Sequence, residues 1–380
     1  MNKLAAVPFF IGLLATMPFF LFYDQYGTVE VLFHMALKAV IWKLMLSGWN
    51  DNTQSIESKA FGELLRLNNA FGSDQPLDEF RRQIDDFGAI LPPRSDVVEE
   101  HFHIRTLDGY DMEAAWFIPP ESSSSKQVVL YSHGGGYFSG SIRSHSGFCS
   151  HLAYKTQAKV LLYEYRRAPE YPLPTAVEDA ITVYRWLTND VQGVDASSVV
   201  VAGDSAGGGL SLLLMQHILH EAQQGNSAAA MPAAAVLISP WTDLSCQRES
   251  WTKNAVTDVM VSPQIGSVWV PRLLRANASE PSVQNEPLEA ADPRVSPLFG
   301  PMRGLPPLYV VAGGAEVVLS DSVDFVDKAE EAGCDVTLQV VPKMQHIFPL
   351  FMGIFPEATK EVDEIACFIR AHLPACSACV

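Results

Sequence analysis

Six mostly apolar runs, each five or six residues long, recur along the chain: Val128–Ser132, Val160–Tyr165, Val199–Gly203, Ala234–Ser239, Leu308–Ala312 and Val336–Val341. Runs so short, continuous and rich in β-branched residues predict strands buried on both faces. Between them lie stretches with helical periodicity, among them Thr175–Leu187, Leu210–Gln223, Ser320–Ala332 and Pro356–Leu373. Ahead of them, Val97–Ile104 and Met112–Ile118 alternate polar and apolar positions and are joined near Asp108-Gly109, which predicts a strand pair with one wetter face. Strands alternating with helices imply an α/β fold whose mostly parallel sheet is covered on both sides. Ligands of such sheets bind beyond the carboxyl ends of the strands.

Two segments interrupt this rhythm. Asp51–Asp96 is mixed and helical in tone, ending at Pro92-Pro93. Trp241–Pro307 is too long and Pro-rich for a simple crossover; it holds one predicted helix, Pro263–Arg275, and would stand over the strand ends. The expected organisation is residues 1–50 as an N-terminal hydrophobic anchor and amphipathic helix and 51–96 as a helical contribution to a cap. Residues 97–375 would form the main α/β domain, with a cap insertion at about 242–306.

The N-terminus follows another pattern. Leu4–Tyr23 carries no charge and lies between Lys3 and Asp24. Twenty apolar residues suffice to cross a bilayer core of about 30 Å, and Pro8 and Pro18 would kink such a helix without abolishing it. The expectation is a retained membrane anchor with a cytosolic N-terminus and a translocated catalytic part, since Lys3 precedes the run. The rivals are a cleaved signal peptide of a secreted protein, for which no small-x-small site is seen near Phe22–Gln25, and a greasy helix laid on the protein surface. Val29–Trp49 follows as a predicted amphipathic helix with one polar stripe of Glu30, His34, Lys38 and Lys43. It suits a membrane interface or a cap helix equally well.

Composition narrows the partners. The 380 residues are 48% hydrophobic, ample for a core, and carry a net charge of −17, which repels nucleic acid. Six cysteines in this length make no disulfide scaffold. Cys149, Cys246, Cys334 and Cys367 read as small buried apolar residues, and the terminal Cys376-Ser377-Ala378-Cys379 lacks the second ligand pair that zinc requires.

The chemistry begins where a run of valines breaks off in Gly203-Asp204-Ser205-Ala206-Gly207. Ser205 falls on a strand-to-helix turn, and glycines at −2 and +2 are what a turn with a strained central residue demands. This is the G-x-S-x-G nucleophile elbow. A phosphate-cradling turn is the alternative, but neither G-x-x-x-x-G-K-[ST] nor G-x-G-x-x-G is spelled here.

A serine hydroxyl needs a base, an acid to orient the base, and donors for the oxyanion. The first strand runs into His133-Gly134-Gly135-Gly136, whose backbone N–H groups could approach a substrate oxygen, and Ala206 N–H opens the helix after the elbow. His346 follows the last strand by five residues, whereas His372 lies inside the terminal helix. Glu316 sits on the loop after Leu308–Ala312; Asp321, the competing acid, starts the next helix and reads as an N-terminal capping charge. Ser205, Glu316, His346 is the nucleophile–acid–base order of α/β-hydrolases.

With these motifs the chain resembles the hormone-sensitive-lipase-like family of α/β-hydrolases. The resemblance runs from about Val97 to Leu373. It is carried by His133-Gly134-Gly135-Gly136, Gly203-Asp204-Ser205-Ala206-Gly207-Gly208, Tyr165-Arg166-Arg167-Ala168-Pro169-Glu170, Ser239-Pro240-Trp241, Asp292-Pro293-Arg294-Val295-Ser296-Pro297 and the His346 loop. It implies an eight-stranded, mostly parallel sheet with a helical cap, and carboxylester hydrolysis on short or medium acyl chains with no metal or organic cofactor. It also implies that Gly135, Gly136 and Ala206 supply the oxyanion donors. The N-terminus is similar to that of the membrane-bound arylacetamide-deacetylase branch. Two residues depart from the family pattern: Glu316 stands in place of aspartate, and Arg167 in place of leucine. The expected partner is a small ester, and oligomeric state is left open. The same triad would serve a lactonase or amidase, and an inactive ligand-binding receptor would be expected to have lost His346.

Overall fold

Each of the six apolar runs forms a strand, and with the upstream hairpin they make one eight-stranded sheet in the computed structural model, which describes residues 27–68, 76–120, 122, 125–189, 191–225, 230–274 and 288–374. The run Leu4–Tyr23 and the cysteines Cys376 and Cys379 lie outside the described residues. In chain order the strands are β1 (Val98–Arg105), β2 (Asp111–Ile118), β3 (Val128–Ser132), β4 (Lys159–Tyr163), β5 (Val199–Asp204), β6 (Ala234–Ile238), β7 (Leu308–Gly313) and β8 (Val336–Val341). Their spatial order is β1-β2-β4-β3-β5-β6-β7-β8. β2 runs antiparallel to both neighbours, and every pairing from β4 to β8 is parallel.

The central strands β3, β5, β6 and β7 are buried along their whole length because successive side chains enter two different cores. Val129, Tyr131, Val200 and Ala202 pack into one layer, while Val128, Leu130, Val199 and Val201 pack into the opposite one. The first layer includes helices α4 (Ile142–Thr156) and α11 (Pro356–His372); the second includes α5 (Thr175–Thr188) and α6 (Ala206–Gln223). α10 (Leu319–Glu331) covers β7 and β8 through Phe325, Val326 and Ala329. By contrast, β1 is mostly exposed, as its alternation predicts.

The structure corrects several sequence expectations. α4 shows no clear apolar period because Ser144, His145, Ser146 and Ser150 are buried along with its apolar residues; its start is marked instead by a reciprocal capping box between Ser141 and Ser144. β4 ends at Tyr163, not Tyr165, since Arg166 turns away to pair with the buried Asp179 of α5 at 2.7 Å. The predicted helix Pro263–Arg275 is two short helices, α8 (Ile265–Val268) and α9 (Val270–Leu274), parted at Trp269. Pro271 has no N–H to continue the ladder. Of the four cysteines expected to be buried, Cys149 is, Cys246 and Cys334 are half-buried and Cys367 is exposed; all four are free thiols.

Before the sheet come α1 (Gly27–Leu46), α2 (Ile56–Asn68) and α3 (Leu77–Gly88). α1 buries Phe33, Ala36, Leu37 and Val40. Its opposite side is not the expected polar stripe, for Met35, Trp42, Met45 and Leu46 are exposed there beside Lys38. Within the long insertion, α7 (Glu249–Lys253), α8 and α9 bring Trp251, Ile265 and Trp269 over the carboxyl ends of the strands, opposite Phe80, Ile84 and Phe87 of α3.

Candidate active site

Parallel pairing sets the strand ends level. Ser132 is paired with Gly203, Asp204 with Ile238, and Gly313 with Val341. The loops that leave β3, β5, β6, β7 and β8 therefore meet on one rim.

At the centre, Ser205 has φ 53° and ψ −121°, a backbone that costs a side-chain-bearing residue on the order of 1–3 kcal/mol. It is held there because its N–H donates to the Ile238 carbonyl (2.8 Å) and its carbonyl accepts from Gly209 (3.1 Å) and Trp241 (2.9 Å). A Cβ at Gly207 would collide with the Ser132 carbonyl, and one at Gly203 with that of Gly207. The spacing of two glycines about the serine thus records how closely β3 and α6 approach.

His346 and Glu316 arrive on loops that are tied together, Ala315 N–H donating to the Met344 carbonyl at 3.0 Å. Ile347 N–H donates to Ser239 Oγ at 3.0 Å, fixing the turn that carries His346. His346 Nε2 lies 2.9 Å from Ser205 Oγ, and Nδ1 lies 2.8 Å from Glu316 Oε2. A carboxylate only accepts, so Nδ1 carries the proton and neutral Nε2 is free to take one from Ser205. Glu316 Oε1 accepts from Gly313 N–H at 3.0 Å. Both His346 and Glu316 are buried. Burial works to lower the His346 pKa, but Glu316 in contact, and Asp258 and Asp204 beyond it, outweigh burial and hold it above its ordinary value.

Asp321, the rival acid, does not reach the imidazole and is not a cap. Val318 caps α10, and Asp321 is buried, its carboxylate accepting from the backbone of Thr242 (3.2 Å) and Asp243 (3.0 Å) and from Trp251 Nε1 (3.0 Å). It staples the insertion to α10. His372 bonds to its own helix through the Phe368 carbonyl.

The three predicted oxyanion donors share a telling property: the N–H groups of Gly135, Gly136 and Ala206 donate to no protein acceptor among the described residues. Gly135 and Gly136 line the cavity, and Ala206 is the first residue of α6, where an N–H has no partner within the helix. Gly135 has φ +112°, and a Cβ there would strike the Ser139 carbonyl. The loop is braced from behind by Asp204, which accepts from Gly134 N–H (3.0 Å) and Tyr131 OH (2.9 Å) and lies 3.2 Å from His145 Nε2. Arg167, where the family pattern has leucine, donates to the Gly140 carbonyl at the end of this loop.

Sequence reading missed the roles of Asp204, His145 and Asp258. The buried Asp258 accepts from Met260 (2.8 Å) and Val261 (2.9 Å) in the insertion and from Val317 N–H (2.8 Å) beside Glu316. Asp204 sits next to the serine and could have drawn attention; His145 and Asp258 reach their places only through long-range packing.

These groups open into a cavity of about 160 Å³ whose walls are mostly apolar, with Phe80, Phe138, Phe148, Trp241, Trp269 and Phe351 among them. Phe138 stacks on Trp269 at 4.3 Å between ring centres and packs on Phe80 at 5.7 Å, so α3 and the insertion close over the oxyanion loop together. A deep triad, three unpartnered N–H donors and a dry wall suit attack on an uncharged carbonyl. No group of His, Cys, Asp or Glu able to hold a metal is present among the described residues.

Known proteins share this fold. Residues 129–350 match the family described by its alpha/beta hydrolase fold. The chain is 33% identical to an esterase of Acinetobacter venetianus over 65% of this chain and 75% of that one. It is 30% identical to an ethyl acetate hydrolase of Pseudomonas putida over 83% of this chain and 98% of that one. Among solved structures, an esterase of the bacterial hormone-sensitive lipase family superposes with a TM-score of 0.73 at 32% identity, covering 84% of this chain and 99% of its own. Sequence and fold agree over three quarters or more of each of these relatives, and the chain belongs to the hormone-sensitive-lipase-like α/β-hydrolases.

Proposed function

We infer that this protein is a carboxylic ester hydrolase that works through an acyl-enzyme on Ser205. The observation that carries the reading is the unbroken chain from Glu316 Oε2 through His346 to Ser205 Oγ, beside the N–H groups of Gly135, Gly136 and Ala206, which have no acceptor among the described residues. Ser205 Oγ attacks the ester carbonyl while His346 Nε2 accepts its proton. The N–H groups of Gly135, Gly136 and Ala206 hold the oxyanion, a single such donor being worth about 10²–10³ in rate. His346 then protonates the departing alcohol, and water repeats the sequence on the acyl group.

The preferred acyl chain is short to medium. A cavity of about 160 Å³ supports this, as do relatives named for the hydrolysis of acetyl groups and ethyl acetate. A fluorophosphonate probe is expected to label the wild-type chain at Ser205, and p-nitrophenyl esters are expected to give their highest kcat/KM between acetate and octanoate. Failure to label, or a steady rise towards palmitate, would overturn the respective half of the reading.

Membrane association is part of the proposal. The uncharged run Leu4–Tyr23 would anchor the chain, and Lys3 before it favours a translocated catalytic domain. Protection of the catalytic domain from added protease in sealed vesicles is the expected result; ready digestion would reverse the orientation, and release by alkaline carbonate would remove the anchor.

A further inference from the structure

α1 is apolar on two opposite sides. The side that buries Phe33, Ala36, Leu37 and Val40 faces the fold, and Phe33 packs edge-on against Phe61 of α2 at 6.1 Å. Phe61 in turn lies 4.6 Å from Phe351 in the cavity wall. The other side carries Met35, Lys38, Trp42 and Met45 at helical spacing, with Leu46 alongside. Met35 is 48% exposed, Trp42 58%, Met45 65% and Leu46 73%. A helix inside a globular protein normally turns charged or polar residues to water. Here the stripe is apolar, and Lys38 and Lys43 are the exposed cations on and beside it.

We propose that the outward stripe of α1 seats in the headgroup region of a lipid bilayer, with Trp42 and Met45 entering the acyl boundary and Lys38 and Lys43 reaching back to lipid phosphates. Three observations select lipid as the occupant. The uncharged run Leu4–Tyr23 ends three residues before α1 begins, so the chain meets α1 directly from its most lipid-compatible sequence. Tryptophan with long-stemmed lysines is the composition that favours the interface between hydrocarbon and water. The stripe is also too narrow for a second copy: its apolar area is on the order of a few hundred Å², against about 800 Å² per partner in a stable specific interface. The consequence is that one aromatic layer, Phe33–Phe61–Phe351, separates the bilayer contact from the cavity, placing the catalytic fold beside a reservoir of apolar esters.

Trp42 provides the test, because it is the one tryptophan of seven in the exposed class; the other six are buried or partly buried. The full chain is mixed with vesicles of phosphatidylcholine and phosphatidylglycerol bearing brominated acyl chains, and tryptophan emission is read. The expected result is bromolipid quenching that disappears in Trp42→Phe and is lost from Trp42 in the double variant Met45→Glu, Leu46→Glu. Hydrolysis of soluble p-nitrophenyl butyrate should be unchanged in both, which shows that they fold. Vesicle binding with equal quenching in wild type and Trp42→Phe would mean that the N-terminus tethers the chain while α1 faces water, and would overturn the proposal. So would a concentration-dependent dimer that Trp42→Glu dissolves, or no vesicle binding. The fluorescence readout does not require catalysis, so its failure is separate from any failure of the esterase reading.

Discussion

Replacing Ser205 with alanine is expected to lower ester turnover by about 10⁶ while leaving the melting temperature within a degree or two. The fold should not notice the change. Among the described residues the Ser205 side chain bonds only to His346 Nε2, and the positive φ is held by the backbone bonds to Ile238, Gly209 and Trp241, which alanine retains. What disappears is the nucleophile and the proton relay that His346 and Glu316 serve. The residual rate should still exceed that in water by roughly 10³–10⁴, because the free N–H groups of Gly135, Gly136 and Ala206 continue to favour the oxyanion of direct water attack. The measurement is p-nitrophenyl butyrate hydrolysis together with thermal unfolding. Substantial activity in a folded Ser205→Ala chain would mean that the reacting oxygen belongs to another residue.

The second large effect separates the two acids. Glu316→Gln is expected to reduce kcat by about 10⁴. Gly313 N–H points at Oε1, so the glutamine carbonyl must settle there and its NH₂ must face His346 Nδ1. That orientation turns the imidazole into the tautomer with hydrogen on Nε2, which offers Ser205 a donor where a base is required. Asp321→Asn should instead keep most of its activity per folded molecule and lose stability by about 1–3 kcal/mol, since an amide cannot accept from Thr242, Asp243 and Trp251 together.

The pH profile gives the same separation a sign. His346 must be neutral to accept the serine proton, and Glu316 holds its pKa above the ordinary imidazole value of about 6.5. The acid limb of kcat/KM for the wild type should therefore have its midpoint above that value, with activity lost as pH falls through it. In Glu316→Gln burial acts with less opposition, so the midpoint should move down. A wild-type limb well below 6.5, or a limb that moves only in Asp321→Asn, would assign the orienting acid elsewhere.

The sheet and the elbow were legible because their causes are local. A strand covered on both faces must be apolar at every position, so β3, β5, β6 and β7 are visible as unbroken runs. A serine forced to positive φ between two packed elements needs glycines two residues away on each side, and that steric demand is written into five consecutive positions. Chain order then placed the three loops on one rim, because parallel strands all end on the same side.

Helix α4 was hidden for a contrary reason: its buried face uses serine and histidine, satisfied by capping and by the Asp204 cluster, so burial left no hydrophobic period. The predicted helix Pro263–Arg275 is divided, and Trp269 at the break stacks on Phe138, a partner more than a hundred residues away in sequence.

By itself, then, the order of residues determined a parallel α/β sheet, the reactive serine and the loops that could answer it, since each follows from contacts between near neighbours in sequence. Only the tertiary structure decided between Glu316 and Asp321, five residues apart at the end of one strand: the turn points the first at His346, and the helix winds the second towards Thr242 and Trp251. Only it could show that α1 keeps a second apolar face for which the fold has no use. Those outcomes rest on which distant segment a side chain meets, and spacing along a chain does not carry that information.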